Sequence, residues 1–257
     1  MDNLLRAERY KLFHRFTYWI GLAVMFAFGF ISAKGYIDDG MYFATTSEPV
    51  PVSSFSGLFN CMAADSLILV VIVTGILSLI IGMEFHKRTM SSEVASGHKR
   101  SEIIFSKIMV NTIAYNVIML AFPYAGIIKA VIYYGTGNLL DNILNILRTS
   151  AYMVLAYTAI FAFAILLAFL FKNGVVAGIV TTIICFAMTY AFAISCGSTG
   201  LAFVFVLPFY HFRKALEVGS SIDGDQIINV SSLIVCSLWI AICVIITWRK
   251  FAKSDLK

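Results

Sequence analysis

The fold is decided by residues 67–107, in which an apolar run, LILVVIVTGILSLIIGM (67–83), leads directly into a polar one, EFHKRTMSSEVASGHKRSEIIFSK (84–107). This second run is the only long polar and basic stretch inside an otherwise apolar sequence. The apolar stretches on either side of it, near 57–83 and 103–133, are each long enough to cross a bilayer, which takes about 20 helical residues. The sequence therefore predicts two membrane spans joined by a charged loop.

The composition of the whole chain agrees with a membrane location. Of its 257 residues, 60% are hydrophobic and 13% are charged, and the mean hydropathy is +0.88. Soluble domains carry about 25% charged residues, so this chain has too little polar surface for a water-soluble globule. The apolar runs are long and do not alternate as the strands of a barrel would. We therefore predict an all-α integral membrane protein with a single transmembrane domain over 1–257.

Six segments pass the length test for a membrane-spanning helix. They lie near 16–33, 57–83, 103–133, 149–171, 174–195 and 227–248. Pro123 is expected to kink the third span or to end its straight part. A further apolar run, 201–209, is too short to cross and contains Pro208, which favours a short re-entrant segment between the fifth and sixth spans.

The basic residues are distributed unevenly between the two sides that these spans create. With the N-terminus inside, 14 of the 19 Lys and Arg residues fall on cytoplasmic segments. This asymmetry predicts that both termini are cytoplasmic and that the number of spans is even. The net charge of +5 then reflects topology and contact with anionic lipid, and gives no argument for binding nucleic acid. Because no cleavage site follows the first apolar run, we expect that run to be retained as a span.

The segment before the first span, 4–16, has an amphipathic pattern. At 100° per residue, Leu5, Leu12 and Phe16 fall within one narrow stripe, and most of the charged residues fall elsewhere. This pattern predicts a helix that lies on the inner membrane surface. The alternative is an ordinary basic flank that only enforces the topology.

Two ionisable residues fall inside predicted spans. Asp65 lies in the outer part of the second span, and Lys129 lies at comparable depth in the third. Charged groups at such depth are costly unless they face protein or water. The two could form an intramembrane pair that lines a pathway. The alternatives are a structural tie between two helices, or an Asp in a shallow aqueous vestibule.

Small residues and cysteines give weaker signals. Gly174 and Gly178 form a GxxxG motif that lets another helix approach closely, either within one chain or between two chains. Cys61 and Cys196 both fall near the outer ends of their spans, so a disulfide between them is conceivable. Unpaired cysteines in apolar surroundings are the simpler interpretation.

Motifs for chemistry are missing from the sequence. It contains no GxxxxGK[ST] phosphate-binding loop, no HExxH and no GxSxG. We therefore predict no catalytic residue and no metal site. A secondary transporter would normally show an internal repeat and buried ionisable groups at mid-membrane, and we find no such repeat. An energy source outside this chain is the more natural expectation.

The order of these features resembles the permease subunit of an ABC transporter of the type-2 class. Permeases of this family have an N-terminal interface helix that leads into the first span. A Glu-Phe or similar pair typically closes their second span, a Thr follows it, and a Gly–x–x–Arg–x–x–(Ile/Leu) element opens the third. The matching residues in this sequence are Glu84, Phe85, Thr89, Gly97, Arg100 and Ile103.

The resemblance implies a mechanism and partners. In this family two permease chains pair, as homodimer or heterodimer, and each docks a separate ATP-binding subunit that holds ATP and Mg, so this chain itself needs no cofactor. The loop 84–102 would form the coupling helix that contacts the ATPase, in a multi-pass protein of the plasma membrane. The compact size resembles the subgroup that exports antimicrobial peptides, lantibiotics or bacitracin-like compounds, often for immunity. The alternative is a membrane sensor or immunity protein that binds a peptide at its outer face without an ATPase.

Overall fold

The computed structural model describes residues 2–39, 54–86, 89–135, 139–195, 207–208, 210 and 230–252. The regular structure within these ranges is helical: α1 (Asp2–Phe13), α2 (Phe16–Asp39), α3 (Phe55–Asp65), α4 (Leu67–His86), α5 (Thr89–Ala95), α6 (Arg100–Tyr134), α7 (Leu139–Phe171), α8 (Gly174–Ser195) and α9 (Val230–Ala252). In this part of the chain six helices, α2, α4, α6, α7, α8 and α9, are long and apolar enough to cross a membrane. The prediction of an all-α protein with six spans is confirmed.

The third and fourth spans are longer than a bilayer requires. Helices α6 and α7 contain 35 and 33 residues, so each is about 50 Å long at 1.5 Å per residue. The hydrocarbon core is only about 30 Å thick. Both helices therefore reach beyond it, and α7 begins at Leu139 rather than near 149. The first turns of α6 bring charged side chains towards the loop that precedes it.

The second predicted span, 57–83, is two helices rather than one. Helix α3 ends at Asp65, and Ser66 caps it with its hydroxyl donating to the Ala63 carbonyl at 2.6 Å. Short polar side chains compete in this way for backbone groups and favour helix ends. Only α4 qualifies as a membrane-crossing helix in this segment. The single continuous span expected there is therefore corrected to a short helix followed by a spanning one.

Pro123 does not end α6, which continues from Arg100 to Tyr134. Proline removes one backbone donor and crowds the preceding turn, so an isolated helix would be weakened there. Here α2 packs closely against that turn: a Cβ built on Gly29 would lie 2.2 Å from the Phe122 carbonyl oxygen. The neighbouring helix thus supports the turn, which explains why the helix continues beyond the proline.

The GxxxG motif of α8 packs within the chain, against α4. A Cβ on Gly178 would lie 2.8 Å from Cβ of Leu79, and one on Gly75 would lie 2.0 Å from Oγ1 of Thr182. Gly82 and Gly174 face each other in the same way, with 2.7 Å between a Cβ on Gly82 and Cα of Gly174. Small residues on both helices therefore allow the close approach. This contact resolves the alternative left open by the sequence.

Buried hydroxyl groups join the central helices. The hydroxyl of Tyr115 in α6 lies 2.9 Å from that of Thr74 in α4, and the hydroxyl of Tyr157 in α7 lies 3.0 Å from that of Ser66. Both tyrosines are fully buried. Polar groups in an apolar environment need such partners, because leaving them unpaired is costly. These bonds hold α4, α6 and α7 together as the centre of the bundle.

Two predictions concern residues that are outside the described ranges. Of the run expected to be re-entrant, 201–209, only Leu207 and Pro208 are described, and both are buried. Cys196 also lies outside them, whereas Cys61 is described and buried. The re-entrant segment and the disulfide therefore stay predictions.

Candidate functional site

The polar loop after the second span folds into the short helix α5 and an exposed tip. The Thr89 hydroxyl donates to the Glu84 carbonyl at 2.9 Å and so ties the start of α5 to the end of α4. Beyond α5, Gly97 adopts a φ of +91°, a left-handed conformation that glycine takes at little cost. Residues 95–99 are all exposed and are called the loop tip below. The loop thus exposes a small surface at its tip, while the start of α5 is hydrogen-bonded to the end of α4.

Helix α1 packs against the bundle. Leu4 and Glu8 are only 5% and 4% exposed, and α1 contacts α6. Leu5 and Leu12 are half-buried, but α1 ends before Phe16, which belongs to α2 and is exposed. The stripe expected over 4–16 is therefore divided between two helices. The buried face includes a carboxylate, which a helix lying only on a membrane surface would not need.

Lys107 of α6 lies where four helices meet. Its Nζ is 2.7 Å from Glu84 Oε2, 3.0 Å from Glu8 Oε1 and 3.4 Å from Glu93 Oε1. The three carboxylates come from α4, α1 and α5 respectively. The Lys107 side chain is only 2% exposed. One buried ammonium group therefore links the N-terminal helix, the end of the second span, the loop helix and the start of the third span.

Two further cations complete this arrangement. Lys11 Nζ lies 2.8 Å from Glu8 Oε1 and 2.7 Å from Glu93 Oε1, and Arg15 pairs with Glu84 Oε1 at 2.5 Å. The resulting charge cluster consists of three carboxylates and three cations: Glu8, Lys11, Arg15, Glu84, Glu93 and Lys107. Its formal charges sum to zero. Such balance is what burial requires, because an unpaired charge in a poorly hydrated site is strongly unfavourable.

The electrostatic consequences appear in two residues of α1. Burial by itself raises the pKa of Glu8, but the nearby Lys107 and Lys11 more than offset it and bring that pKa below its ordinary value. Burial by itself lowers the pKa of Lys11, and Glu8 and Glu93 more than offset it and raise that pKa. Both shifts favour the charged forms. Glu8 and Lys11 therefore favour their charged forms, and their ion pairs hold α1 in place.

Two residues expected to contact an ATPase are instead directed inwards. Glu84 is 6% exposed and belongs to the charge cluster. Phe85 is half-buried, and its ring lies edge-on to Phe169 of α7 and Phe251 of α9, with centroids 5.0 and 6.4 Å apart. Their assignment to the coupling loop stays a prediction. They hold the loop to the bundle, and a contact surface has to be found elsewhere in the loop.

The other residues of the predicted loop motif have distinct positions. Thr89 is half-buried at the start of α5, Gly97 is exposed at the loop tip, and Arg100 is half-buried as the first residue of α6. Of these three, only Gly97 lies on the open surface that a partner would meet first. The motif therefore combines residues that shape the loop with one, Gly97, that is accessible to a partner.

Asp65 and Lys129 do not form the pair considered from the sequence. Asp65 Oδ2 accepts a hydrogen bond from the Tyr36 hydroxyl at 2.5 Å. Lys129 Nζ donates to the Ile31 carbonyl at 3.3 Å and lies 5.3 Å from the ring centroid of Phe30. Both therefore tie their own helix to α2. A structural role accounts for these contacts.

Three members of the charge cluster, Glu8, Glu93 and Lys107, did not stand out in the sequence. One signal was present: Lys107 follows Ile103 and Ile104 at helical spacing, and all three are buried on one face of α6. A lysine that continues an apolar stripe indicates a buried cation, which needs carboxylate partners. The sequence alone does not show which carboxylates these are.

The region that holds the charge cluster and the loop also carries a family signature. The model of the ABC-2 family transporter protein family matches residues 4–188, which is 185 of the 257 residues. The chain belongs to this family. It is therefore the membrane component of an ABC transporter, a permease subunit whose ATP hydrolysis takes place in a separate ATP-binding subunit. A comparison with curated proteins gives no match.

Proposed function

We propose that this permease subunit works in an exporter, and that the loop tip receives the movement of the ATP-binding subunit. The observation that carries the proposal is the connection between an exposed tip and a buried charge cluster on four helices. A displacement of α5 cannot be absorbed locally, because Glu93 of α5 is bound both to Lys11 of α1 and to Lys107 of α6. The movement would pass directly to the first and third spans.

The short length of α5 supports this role. It contains seven residues, and the Thr89 bond at one end and Glu93 near the other fix it to the bundle. Met90 is 1% exposed and packs inside the core. A short helix that is held by a hydrogen bond, ion pairs and an apolar anchor moves as a rigid unit. Such a unit transmits force better than a flexible loop.

Sequence features support the proposed cargo and orientation. The excess of basic residues on the α5 side supports a cytoplasmic position for both termini and for the loop, in the plasma membrane. The resemblance to exporters of antimicrobial peptides, lantibiotics and bacitracin-like compounds supports a peptide or amphiphilic cargo and a role in immunity. A pathway for such a cargo would form between two permease chains, each with its own ATPase.

The loop tip gives the decisive test. The variant His98→Glu/Lys99→Glu places negative charge on two exposed residues, so the bundle should fold normally while the ATP-binding subunit no longer copurifies. Arg6→Glu/Arg9→Glu is the control, because both residues are exposed on α1 at the same end of the bundle. The readouts are copurification and ATP-dependent transport in reconstituted vesicles. Wild-type copurification and transport by the tip variant would overturn the assignment.

A second experiment addresses direction and cargo. Vesicles that contain the permease and its ATPase are loaded with fluorescent bacitracin-like peptide on either side, and ATP is added on the ATPase side. Export predicts ATP-dependent movement of the peptide away from the side where the ATPase sits. Movement towards that side, or none at all for any peptide or amphiphile, would contradict the proposed direction or cargo.

A further inference from the structure

A second group of basic residues lies at the ends of α7 and α9. They line an open cleft of about 630 Å³ together with apolar side chains of the same two helices. Seven of the described residues line it: Phe169, Leu170, Lys172, Ile246, Arg249, Lys250 and Phe251. A volume of this size lies in the range of small-ligand sites, about 300–1,000 Å³. The group Lys172, Arg249 and Lys250, with this cleft, is called the basic cleft.

The basic cleft is at the same end of the bundle as the charge cluster. Phe169 and Phe251 line it, and both pack edge-on against Phe85, the neighbour of Glu84. The cleft and the loop are therefore on one side of the membrane. Under the proposed orientation, with the loop on the cytoplasmic side, this is the inner leaflet.

The three cations of the cleft are not neutralised by the rest of the described chain. All three are exposed, and within the described ranges none has a carboxylate within 4 Å, the distance at which the charge cluster forms its six ion pairs. Three positive charges side by side repel one another, and a bound anion would relieve this repulsion. The cleft is thus complementary to a negatively charged ligand.

The wall of the cleft is apolar and continues onto the outside of the bundle. Leu170 and Ile246 are 42% and 39% exposed, and they belong to helices long enough to cross the membrane. A ligand that fills the cleft therefore meets cations at its end and hydrocarbon along its side. A phospholipid has this combination, whereas a free anion would use only the cations.

The turn between α7 and α8 fixes Lys172 at the edge of the cleft. Its φ is +50°, in the left-handed region that residues with a side chain seldom adopt. The next residue, Asn173, caps α8 by accepting a hydrogen bond from the Val175 amide at 3.1 Å. The position of Lys172 is thus set by a tight turn rather than by a flexible loop.

We propose that the basic cleft binds the phosphate-bearing headgroup of an anionic phospholipid. The Arg249 guanidinium is suited to hold the phosphate through two parallel hydrogen bonds, and the two lysines add charge. An acyl chain lies along Leu170 and Ile246. Basic pockets between membrane helices on the inner side recognise lipid headgroups in this way. The lipid would hold the ends of α7 and α9 together beside the loop.

The test measures lipid binding to the purified full chain in neutral detergent by native mass spectrometry, with phosphatidylglycerol and phosphatidylcholine as probes. Phosphatidylglycerol should bind the wild-type chain about tenfold more tightly or better, since each basic residue near an anionic headgroup contributes measurably. The variant Lys172→Gly/Arg249→Gln/Lys250→Gln should lose this preference. Glycine suits the left-handed turn at 172, so the loss would not reflect misfolding.

A matched control removes the same charge elsewhere. Arg6→Gln/Arg9→Gln/Lys99→Gln also lowers the charge by three, on exposed residues at the same end of the bundle, and should keep the preference. Equal loss in this control, or equal binding of the two lipids to the wild-type chain, would overturn the proposal. So would full displacement of phosphatidylglycerol by millimolar inorganic phosphate, which would identify a free anion as the ligand.

The acidic surface of a protein partner is the remaining alternative occupant. If the cleft variant bound phosphatidylglycerol normally but no longer copurified with the ATP-binding subunit, the occupant of the basic cleft would be a protein and not a lipid. The lipid measurement contains no ATPase and no cargo. Its failure would therefore leave the coupling role of the loop tip standing, and failure of the loop-tip test would leave the lipid site standing.

Discussion

The charge cluster and the basic cleft lie at the same end of the bundle and each contain three cations. They differ in whether carboxylates of the described chain neutralise those cations. In the charge cluster, Lys107 and its neighbours are matched by three carboxylates, and Lys107 and Glu8 are almost completely buried. In the basic cleft, the cations face an open volume and the described chain supplies no carboxylate to them. Burial explains the difference, because a buried cation needs a partner from the chain itself.

The comparison assigns different tasks to charges that look alike in the sequence. Cations that are neutralised within the chain hold helices together. Cations that stay exposed beside an apolar wall are available to a ligand or a membrane. Substitutions in either region test this distinction, and in the first test a residue of the basic cleft serves as the control.

The largest effect is expected for Lys107→Met. The substitution keeps an apolar stem of similar length but leaves three carboxylates facing two cations, and removing one partner of a buried ion pair costs about 3–5 kcal/mol. The free energy of unfolding of the purified chain, from a denaturant titration in mixed micelles, should fall by that amount. Lys172→Met is the control and should change it by less than about 0.5 kcal/mol, as is usual for exposed sites. Equal effects of the two substitutions would contradict the comparison.

A smaller effect is expected for Glu8→Gln, about 2 kcal/mol at neutral pH, which is typical of a hydrogen bond to a charged group. Because the pKa of Glu8 in the folded chain lies below its ordinary 4.5, its contribution is complete above that pH and is lost as the pH falls through the folded value. Wild-type α1 should therefore detach in acid.

Trp19 reports this detachment, since its indole donates to the Phe13 carbonyl, at 2.8 Å, where α1 meets α2. Its fluorescence should change as wild-type protein is acidified below pH 4.5, and the change should be much weaker in Glu8→Gln. An identical acid transition in both proteins would show that another group controls the docking of α1.

The pair Lys11–Glu93 should contribute less, because the Lys11 side chain is 41% exposed and water screens it. A double-mutant cycle with Lys11→Met and Glu93→Gln should give a coupling energy of about 0.5–1 kcal/mol. A coupling energy as large as the loss of stability caused by Lys107→Met would mean that the strength of these ion pairs does not depend on their solvent exposure.

The smallest effect is expected for Lys172→Gly. Glycine relieves the left-handed backbone at this position but adds freedom to the unfolded chain, and the two effects are of similar size, about 1 kcal/mol. The free energy of unfolding should stay the same or rise by up to about 1 kcal/mol. A loss well beyond that range would indicate that the chain itself uses the charge of Lys172.

The sequence predicted the architecture well and the site less well. Six spans follow from apolar runs that are long enough to cross a bilayer, and the structure confirms them within the described residues. The break at Ser66 was missed because hydropathy averages over a window and does not register one capping serine. Pro123 lies inside α6, and the close packing of α2 against that turn through Gly29 has no local signature in the sequence.

The loop motif was found in the sequence, but the roles of its residues were not. Glu84 and Phe85 were assigned to the coupling loop through the family resemblance, and the structure places both against the bundle. Their positions depend on elements distant in the chain: Glu84 pairs with Arg15 across 69 positions, and the Phe85 ring packs against Phe251 of α9. No pattern within the loop carries this information.

What the sequence by itself determined is the membrane class, the number of spans, the uneven distribution of basic residues and the family. These properties depend on composition and on local runs, because the bilayer acts on each segment separately. Only the tertiary structure decided which cations are neutralised by the chain and which stay open. Helix packing brings Glu8, Glu84 and Glu93 to Lys107, and it leaves Lys172, Arg249 and Lys250 beside a cleft. The energy of a Coulomb interaction is set by distance in space and by burial, and not by position along the chain.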